Sequence, residues 1–366
     1  MFHTIITLAY TLPNIYVFFR LMSVFINRKF RLHYIVIYIL IALIYPVTET
    51  FDISLPGFLS LITDYILPFY LYVFLSVLAF DIFLLINYFS GIVRTDVLKS
   101  TRFKAEGLAA VILISMSVVI AGIININRIT VSDYNIVIPK KESKISNIKI
   151  AFIADFHLKD RTNIGFVRKF TEKIDEIKPD ILLLGGDILE GSGMTRNRAE
   201  IVSLFKNIKT KYGVYSVLGN HEFHGRQDKI TFFDDAGIDL LKDTFRVIDN
   251  SIVLLGRYDS RVSTRKTIGE MVFLNKDNLP VIMMDHRPTE IDIASNHNID
   301  LQFSGHTHNG QLFPINYITK QFYILSWGYL KLKNTHFFVT SGIQLWGPPV
   351  KTAGVSEIMV VDVELN

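Results

Sequence analysis

The sequence predicts an α/β protein in which a bundle of apolar helices precedes a domain of alternating strands and helices. Half of the 366 residues are hydrophobic and the mean hydropathy is +0.33, and this excess lies in roughly the first third of the chain. In the remainder, short apolar runs such as residues 181–184 alternate with amphipathic stretches such as residues 163–177. That alternation is typical of layered α/β domains.

The first third of the chain is predicted to cross a membrane four times. The four apolar segments cover about residues 4–19, 34–47, 66–89 and 108–124. A membrane-spanning helix needs about 20 apolar residues, so the first two segments are short. The first segment is interpreted as a span and not as a signal peptide, because it has no basic start and no small-residue cleavage site. The predicted domains are a membrane domain over 1–126, a linker with an edge strand over 127–146, and a strand-rich domain over 147–366.

Charged residues around these segments predict an orientation. The loop between the second and third spans has no Lys or Arg, whereas the other two loops are basic. Their basic residues are Arg20, Arg28, Lys29 and Arg31 in the first loop and Arg94, Lys99, Arg102 and Lys104 in the last. Because basic loops stay in the cytoplasm, we predict a multi-pass protein of the cell membrane with its strand-rich domain on the extracytoplasmic side.

Two features inside the membrane segments predict local structure. Asp64 and Pro68 predict that residues 55–62 form a separate turn before the third span. Asp81 lies within that span, and an acid there is either functional or hydrogen-bonded inside the bundle to Ser115 or Ser117.

Five short polar clusters in the strand-rich domain carry the chemistry. Each follows the end of an apolar run, so we expect them to meet at the carboxyl ends of strands. They are Asp155-Phe156-His157, Gly185-Gly186-Asp187, Gly219-Asn220-His221-Glu222, Asp285-His286 and Gly305-His306-Thr307-His308. Together they hold four carboxylates, five imidazoles and one amide. Imidazole together with carboxylate suits Mn, Fe, Zn or Co, and two such ions side by side can promote an in-line displacement.

In the order of these clusters the sequence resembles the calcineurin-like metallophosphoesterase superfamily over residues 148–363. Residues 340–351 resemble its membrane-associated bacterial branch, except that Lys351 stands where that branch has arginine. The resemblance implies a four-layer α/β/β/α sandwich with two mixed β-sheets over residues 147–366. It also implies two divalent transition-metal ions, Mn, Fe or Zn, as cofactors.

The resemblance further implies a role for each residue of the site. His221 would not bind metal but would stand beside the phosphate as the catalytic residue, stabilise its charge and protonate the leaving oxygen. The implied metal ligands are Asp155, His157 and His308 for the first ion, Asn220, His286 and His306 for the second, and Asp187 as a bridge between both.

Other polar residues are predicted to be less directly involved. Asp285, His297 and His336 are interpreted as turn or surface residues. The loops over 191–197 and 257–267 are predicted to be exposed, and the second is either simply solvated or contacts anionic lipid headgroups. Candidates for lining the substrate mouth or contacting the phosphate are His224, Arg226, Arg287 and Asn309.

These observations predict a membrane-anchored, dinuclear metal-dependent phosphoesterase in which a metal-bridging hydroxide attacks phosphorus. The membrane part favours a lipid-linked phosphoester or pyrophosphate as substrate and membrane lipids as partners. The alternative is a non-catalytic membrane sensor or transport subunit with a metal-binding domain. Nucleic acid is not an expected partner, because the net charge is only +4 and no basic stripe carries interleaved aromatic residues. The absence of cysteine excludes disulfides and thiolate metal sites.

Overall fold

The computed structural model describes residues 2–50, 58–190, 196–223, 230–273 and 278–366. The chain divides into two compact units. The first unit comprises Met1–Ile124 and Gly347–Thr352, and the second comprises Asn125–Trp346 and Ala353–Asn366.

The first unit is helical. Its described α-helices are α1 (Phe2–Val24), α2 (Arg31–Thr50), α3 (Phe58–Ser90), α4 (Thr95–Lys99) and α5 (Thr101–Ile126). Three stretches of the described chain are long and apolar enough to cross a membrane: Arg28–Thr48, Ile62–Ser90 and Thr101–Ile126. They coincide with the second, third and fourth predicted spans. The region of the first predicted span is helical within α1, and its crossing of a membrane stays a prediction.

The break predicted before the third span is wrong within the described chain. Helix α3 runs without interruption through Asp64 and Pro68. Residues 55–57 of the predicted turn lie outside the described residues. A single proline in a long apolar helix is tolerated here because the surrounding turns keep their own hydrogen bonds.

A polar contact joins α1 to α3 inside the first unit. Asp81 accepts hydrogen bonds from the Arg20 guanidinium and from the Tyr16 hydroxyl, with Arg20 Nε at 2.8 Å. The predicted partner Ser115 instead donates its hydroxyl to the Val111 carbonyl at 2.7 Å, so the predicted hydrogen bond to Asp81 is wrong. The placement of Arg20 in a loop is also wrong, because it lies within α1. Arg31, Lys99, Arg102 and Lys104 of the predicted loops likewise lie within α2, α4 and α5. The predicted orientation stays a prediction.

The second unit is built on two β-sheets. The first sheet contains β1 (Ile129–Ile138), β2 (Asn147–Ile153), β3 (Ile181–Leu184), β4 (Val214–Ser216), β5 (Asp239–Leu240) and β12 (Ser356–Leu365). The second contains β6 (Thr244–Ile248), β7 (Ile252–Gly256), β8 (Val281–Met284), β9 (Leu301–Ser304), β10 (Gly328–Leu332) and β11 (Thr335–Val339). The described strands follow the order β1-β12-β2-β3-β4-β5 in one sheet and β10-β11-β9-β8-β7-β6 in the other.

Both sheets are mixed, as predicted. In the first sheet β2, β3 and β4 are parallel, and β12 pairs antiparallel with β2. In the second, β7, β8 and β9 are parallel, while β6 pairs antiparallel with β7. Strand β1 lies at the edge beside β12 and pairs with it in parallel, from Ile129↔Ser356 to Ile138↔Leu365. Strands β2, β3 and β4 therefore end at one edge of the first sheet, and β7, β8 and β9 end at one edge of the second.

Helices cover the outer faces of both sheets. They are α6 (Ile164–Ile177), α7 (Arg198–Lys206), α8 (Thr231–Asp235), α9 (Ile268–Val272) and α10 (Ile291–Ala294), whereas α11 (Ile315–Phe322) has no buried residue. Side chains of α6, α7 and α8 share a buried cluster with β2 and β3, and those of α9 and α10 share one with β7 and β8. A further buried cluster lies between the sheets. The predicted four-layer α/β/β/α arrangement is therefore confirmed.

Alternation along the strands explains why these layers form. In β2, Ile150 and Phe152 belong to the cluster between the sheets, whereas Ala151 and Ile153 belong to the cluster under the helices. Strands that are buried on both faces are continuous apolar runs. The Phe152 ring lies 5.0 Å from that of Phe303, between centroids. Because each buried large side chain contributes about 1.5–3 kcal/mol, the core holds the strand ends firmly and positions the loops that follow them.

Candidate metal centre

The loops after five strands bring the polar clusters to the carboxyl-end edge of the sandwich. Asp155 follows β2 and Asp187 follows β3, and these strands are parallel. His286 and His306 follow β8 and β9, which are parallel in the other sheet. Asn220 comes from the loop after β4. This edge is where ligands bind in many α/β proteins.

Five of the predicted site residues have a left-handed backbone. Non-glycine residues rarely adopt this conformation, which costs about 1–3 kcal/mol and is concentrated at functional sites. Backbone hydrogen bonds between the loops maintain it: Asp155 donates to the Gly186 carbonyl at 2.9 Å and His157 to the Asp187 carbonyl at 3.0 Å. The five residues are Asp155 (φ 59°), His157 (φ 49°), Asp187 (φ 52°), His306 (φ 71°) and His308 (φ 48°).

Asp155, His157 and His308 form a first group of potential metal ligands. The Nε2 atoms of the two histidines lie 3.2 Å apart. Asp155 Oδ1 lies 3.5 Å from His308 Nε2 and 4.0 Å from His157 Nε2. Two nitrogens that bind one ion at about 2.1 Å stand about 3.0–3.4 Å apart, so this spacing suits ligands of a single ion.

Asp187, His286 and His306 form a second group. His286 Nδ1 lies 2.8 Å from the Gly185 carbonyl oxygen, so Nδ1 carries the hydrogen that is donated to this oxygen. Burial acts to lower the pKa of His286, but Asp187 outweighs it and raises this pKa to about 10. Nε2, 3.1 Å from Asp187 Oδ2, therefore lies where a cation is favoured, either a proton or a metal ion. Two acceptors facing each other at this distance repel unless a cation lies beside them. A third overlapping group, Asp187 with His157 and His221, places Asp187 between the other two.

Buried acceptor atoms at the site fit a bound cation. Asn220 Oδ1 and His286 Nε2 are buried and accept no hydrogen bond from any described residue. Leaving a buried acceptor unsatisfied costs about 1–3 kcal/mol, so a native protein normally provides a partner. Carboxylate, imidazole and amide oxygen together are suitable ligands for a divalent transition metal. The residues of the site therefore fit the predicted ions.

Glu222 holds the loops after β3 and β4 against each other. Its carboxylate accepts backbone N–H groups from Asp187 at 3.0 Å, Leu189 at 2.8 Å and Gly219 at 2.7 Å. Burial and the Asp187 charge raise the pKa of Glu222 to about 7. A Cβ atom at position 219 would lie 2.2 Å from Asp187 Oδ1, so only glycine fits there. Glu222 thus positions Asp187 without being part of either ligand group.

Sequence reasoning missed Glu190. Its Oε2 lies 2.6 Å from His157 Nδ1, and its Oε1 lies 2.9 Å from His221 Nδ1. Burial acts to raise the pKa of Glu190, but the hydrogen bonds from His157 and His221 outweigh it and lower this pKa. The ionised carboxylate therefore accepts from both rings and orients them. The only available signal was an acid three residues after Asp187, at the end of the same apolar stretch.

The pKa values of His221 and His306 are shifted in opposite directions. Burial acts to lower the pKa of His221, but Glu190 and Asp187 outweigh it and raise this pKa. Burial, together with the charges of His286 and Arg287, lowers the pKa of His306 to about 2, so His306 is a neutral imidazole and can bind a metal. The His221 side chain is 21% exposed, and its ring lies 4.8 Å from that of His157, between centroids. It is therefore the histidine at the mouth of the site.

Two predictions about the surface around the site are wrong. Asp285 is not a turn or surface residue but is only 1% exposed, and it lies 2.6 Å from Arg257 Nη1 and 3.6 Å from Arg265 Nη1. Arg257, predicted to lie in an exposed loop, is also 1% exposed and pairs with Glu290 at 2.7 Å. Buried arginines need such carboxylate partners. Arg257 therefore supports the strand ends internally and does not contact lipid headgroups.

The remaining predicted residues have mixed outcomes. His336 is buried and not at the surface, with the Tyr329 hydroxyl 2.9 Å from its Nδ1. Arg287 donates to the buried Asp259 carboxylate at 2.7 Å, and Asn309 is buried. Lys351 is fully buried in the first unit, and we assign it no role at the metal centre. His224, Arg226 and residues 191–195 lie outside the described chain.

Comparison with known proteins agrees with this geometry. Residues 148–310 match the family of calcineurin-like phosphoesterases. These residues contain both groups of potential ligands. The match and the relatives described next support a likeness of the second unit to the calcineurin-like metallophosphoesterases.

Several relatives match this part of the chain. An uncharacterized metallophosphoesterase of Helicobacter pylori is 30% identical over 218 residues, which is 58% of this chain and 58% of the relative. One from Campylobacter jejuni is 23% identical and covers 100% of this chain and 98% of its own length. A zebrafish transmembrane protein with a metallophosphoesterase domain is 24% identical over 72% of this chain and 63% of its own. Because eukaryotic proteins are among the relatives, the predicted restriction to a bacterial branch is not confirmed.

Solved structures show only a distant likeness. A dimetal phosphatase from Danio rerio is 13% identical, with a TM-score of 0.35, and is matched over 54% of this chain and 88% of its own. A Thermus thermophilus protein has a TM-score of 0.37 at 11% identity, over 53% of this chain and 89% of its own. These TM-scores are too low to support an inference about function.

Proposed function

We propose that this protein is a membrane-anchored, metal-dependent phosphoester hydrolase. One observation carries the proposal: two groups of carboxylate and imidazole donors, all buried except the half-buried His306, each have ligand atoms within 4.8 Å of one another and are linked by Asp187. Divalent ions bound there would polarise the phosphoryl oxygens and activate water as the nucleophile. The complete donor set is the reason to favour turnover over the non-catalytic alternative.

The distances within each group, and the unpartnered Asn220 Oδ1, support the ligand roles that we assign. Asp187 Oδ1 accepts the His221 backbone N–H at 2.7 Å, and Oδ2 lies toward His286 Nε2. This carboxylate would bridge two ions. The ligands that we assign are Asp155, His157 and His308 for one ion and Asn220, His286 and His306 for the other.

His221 is the catalytic residue in this proposal. Glu190 accepts the hydrogen of His221 Nδ1 and thereby orients the ring. The other nitrogen, Nε2, faces the proposed metal site and lies 4.0 Å from Asp187 Oδ2. The raised pKa keeps His221 protonated closer to neutral pH. As water oxygen bonds to phosphorus and the bond to the leaving oxygen breaks, His221 gives that oxygen a proton. A general acid of this kind contributes about 10²–10⁴-fold to the rate.

The test is hydrolysis of bis(4-nitrophenyl) phosphate by the full-length protein in detergent with Mn²⁺ added. Asp187→Asn should abolish turnover, because it weakens ligation of both ions. Asp175→Asn, at an exposed position of α6, is the matched control and should retain wild-type turnover. Metal binding by the wild type without turnover of any monoester, diester or pyrophosphate would instead support the sensor alternative.

We also propose that the substrate is lipid-linked and that the second unit is extracytoplasmic. Three candidate spans support membrane association. The orientation is testable because the chain has no cysteine of its own. A cysteine in place of the exposed Lys206 should react with an impermeant maleimide in intact cells. Reaction only after lysis would place the domain in the cytoplasm.

A further inference from the structure

Helix α11 (Ile315–Phe322) is amphipathic, and none of its residues is buried. Its apolar residues Ile315, Ile318 and Phe322 recur at spacings of three and four, so they lie on one face. Ile318 is 58% exposed and Phe322 is 78% exposed. A surface helix normally buries its apolar face against its own domain. This face, which we call the α11 face, is therefore available to bind something else.

The α11 face borders the metal centre. Ile318 and Phe322 of this face line an open groove of about 450 Å³, which the proposed ligand His306 also lines. The His306 and Tyr323 rings lie 6.5 Å apart, between centroids. The groove thus includes a proposed metal ligand together with apolar side chains of α11. Its lining residues are Thr289, His306, Thr307, Ile318, Thr319, Phe322 and Tyr323.

We infer that this groove binds the hydrocarbon chain of an amphiphilic phosphoester while its phosphate lies at the metal centre. The inference rests on the proposed hydrolase function and specifies its substrate class. Two of the lining side chains, Ile318 and Phe322, are apolar and largely exposed, and no Asp, Glu, Lys or Arg lines the groove within the described chain. Such a surface gains from covering by methylene groups and offers no countercharge to a charged substituent.

The path of the chain favours a lipid as the occupant. The candidate span Thr101–Ile126 ends two residues before β1, which begins at Ile129. Three residue steps of extended chain reach at most about 10 Å. The chain therefore passes from a candidate span into β1 without a long linker, and amphiphilic molecules are concentrated at a membrane surface. Exposed aromatic residues near α11, Tyr317 at 58% and Trp327 at 38%, are of the kind enriched at membrane interfaces.

The experiment uses alkyl 4-nitrophenyl phosphodiesters with methyl, butyl, hexyl and octyl groups, below their critical micelle concentrations, and the full-length protein with Mn²⁺. All members share one leaving group, so differences in kcat/KM report binding of the alkyl chain. A fully buried methylene contributes about fourfold, and an open groove that covers half of each should give about twofold per methylene. The variants are Phe322→Ser and Ile318→Ser. Phe273→Ser is the matched control, since Phe273 is 80% exposed beside α9.

We expect kcat/KM to rise with chain length in the wild type and in Phe273→Ser. In Phe322→Ser and Ile318→Ser the octyl-to-methyl ratio should fall at least fivefold, mainly through KM. A wild type that hydrolyses the methyl ester without any chain-length preference would overturn this inference and leave the hydrolase function standing. Absence of turnover on every member would overturn the hydrolase function itself. A thymidine 4-nitrophenyl ester preferred over the octyl ester, with Phe322 dependence, would assign the groove to a nucleoside and also overturn the inference.

Discussion

Substituting Glu190 by glutamine should disable the site while leaving its shape intact. In the protein, one carboxylate oxygen accepts from His157 Nδ1 at 2.6 Å and the other from His221 Nδ1 at 2.9 Å. Glutamine keeps the size but offers one acceptor oxygen and one donor NH₂ group. The imidazole that faces NH₂ must accept with Nδ1, and its hydrogen must move to Nε2. If that ring is His157, its Nε2 can no longer bind metal. If that ring is His221, no carboxylate stabilises its protonated form, so the ring less often carries the proton that the leaving oxygen needs.

The magnitude follows from these two outcomes. Loss of a carboxylate behind a metal-binding histidine typically lowers metal affinity or activity by about 10–100-fold. Loss of a general acid costs about 10²-fold or more. We therefore expect Glu190→Gln to lower kcat/KM by about 10–100-fold, equivalent to about 1.4–2.7 kcal/mol of transition-state stabilisation.

The assay is hydrolysis of bis(4-nitrophenyl) phosphate as a function of Mn²⁺ concentration. A higher apparent metal Kd would assign the effect to His157, and a lower kcat at saturating metal would assign it to His221. Glu200→Gln is the control, because Glu200 is an exposed acid of α7 paired with Arg168. Wild-type kcat/KM together with wild-type metal dependence in Glu190→Gln would refute the positioning role.

Three further predictions concern metal, buried charge and pH. Removing metal with a chelator should abolish turnover, and added Mn²⁺ should restore it and raise the melting temperature. At a free Mn²⁺ concentration of 100 times Kd, the free energy of unfolding should rise by about 2.7 kcal/mol. A melting temperature that does not respond to metal would contradict this. Arg257→Met leaves the buried Asp285 without its closest partner and should lower the free energy of thermal unfolding by about 3–5 kcal/mol. The control Arg168→Met, at an exposed ion pair, should lower it by less than about 1 kcal/mol. Burial, with the Lys331 charge, lowers the pKa of His336, so the folded state binds fewer protons than the unfolded state below pH 6.5. Stability should fall there by at most about 1.4 kcal/mol per pH unit as the pH drops, and His336→Phe should lose less stability between pH 7 and 5.5.

Much of the fold could be predicted because its signals are local. The apolar runs at β2, β3, β8 and β9 are short and rich in branched residues, and the structure has strands there. Helix α6 was predicted over residues 163–177 from its apolar face, and it begins at Ile164 because the Asn163 side chain accepts the Gly165 N–H at 2.8 Å. The helices of the first unit were less well predicted. Arg20 and Asp64 lie inside helices, although from composition alone a charged residue at such a position indicates a loop or a break.

The candidate site could be predicted to the level of its clusters but not of its contacts. Asp155, His157 and His308 are far apart in the sequence, and their grouping rests on a resemblance that the distances now support geometrically. Glu190 carries no motif of its own, and only the folded arrangement shows that it reaches two histidines at once. Asp285 and Arg257 look like surface charges in the sequence because each finds its partner only when distant loops pack together.

The sequence alone determined the order of strands and helices and which residue types stand after each strand, because hydrophobic periodicity and turn chemistry act over a few neighbouring residues. Only the tertiary structure decided which acids and imidazoles share an ion, which carboxylate orients them, and that α11 leaves its apolar face beside His306. Those outcomes depend on distances between residues brought together from separate strands and loops, and such distances exist only after the two sheets have packed.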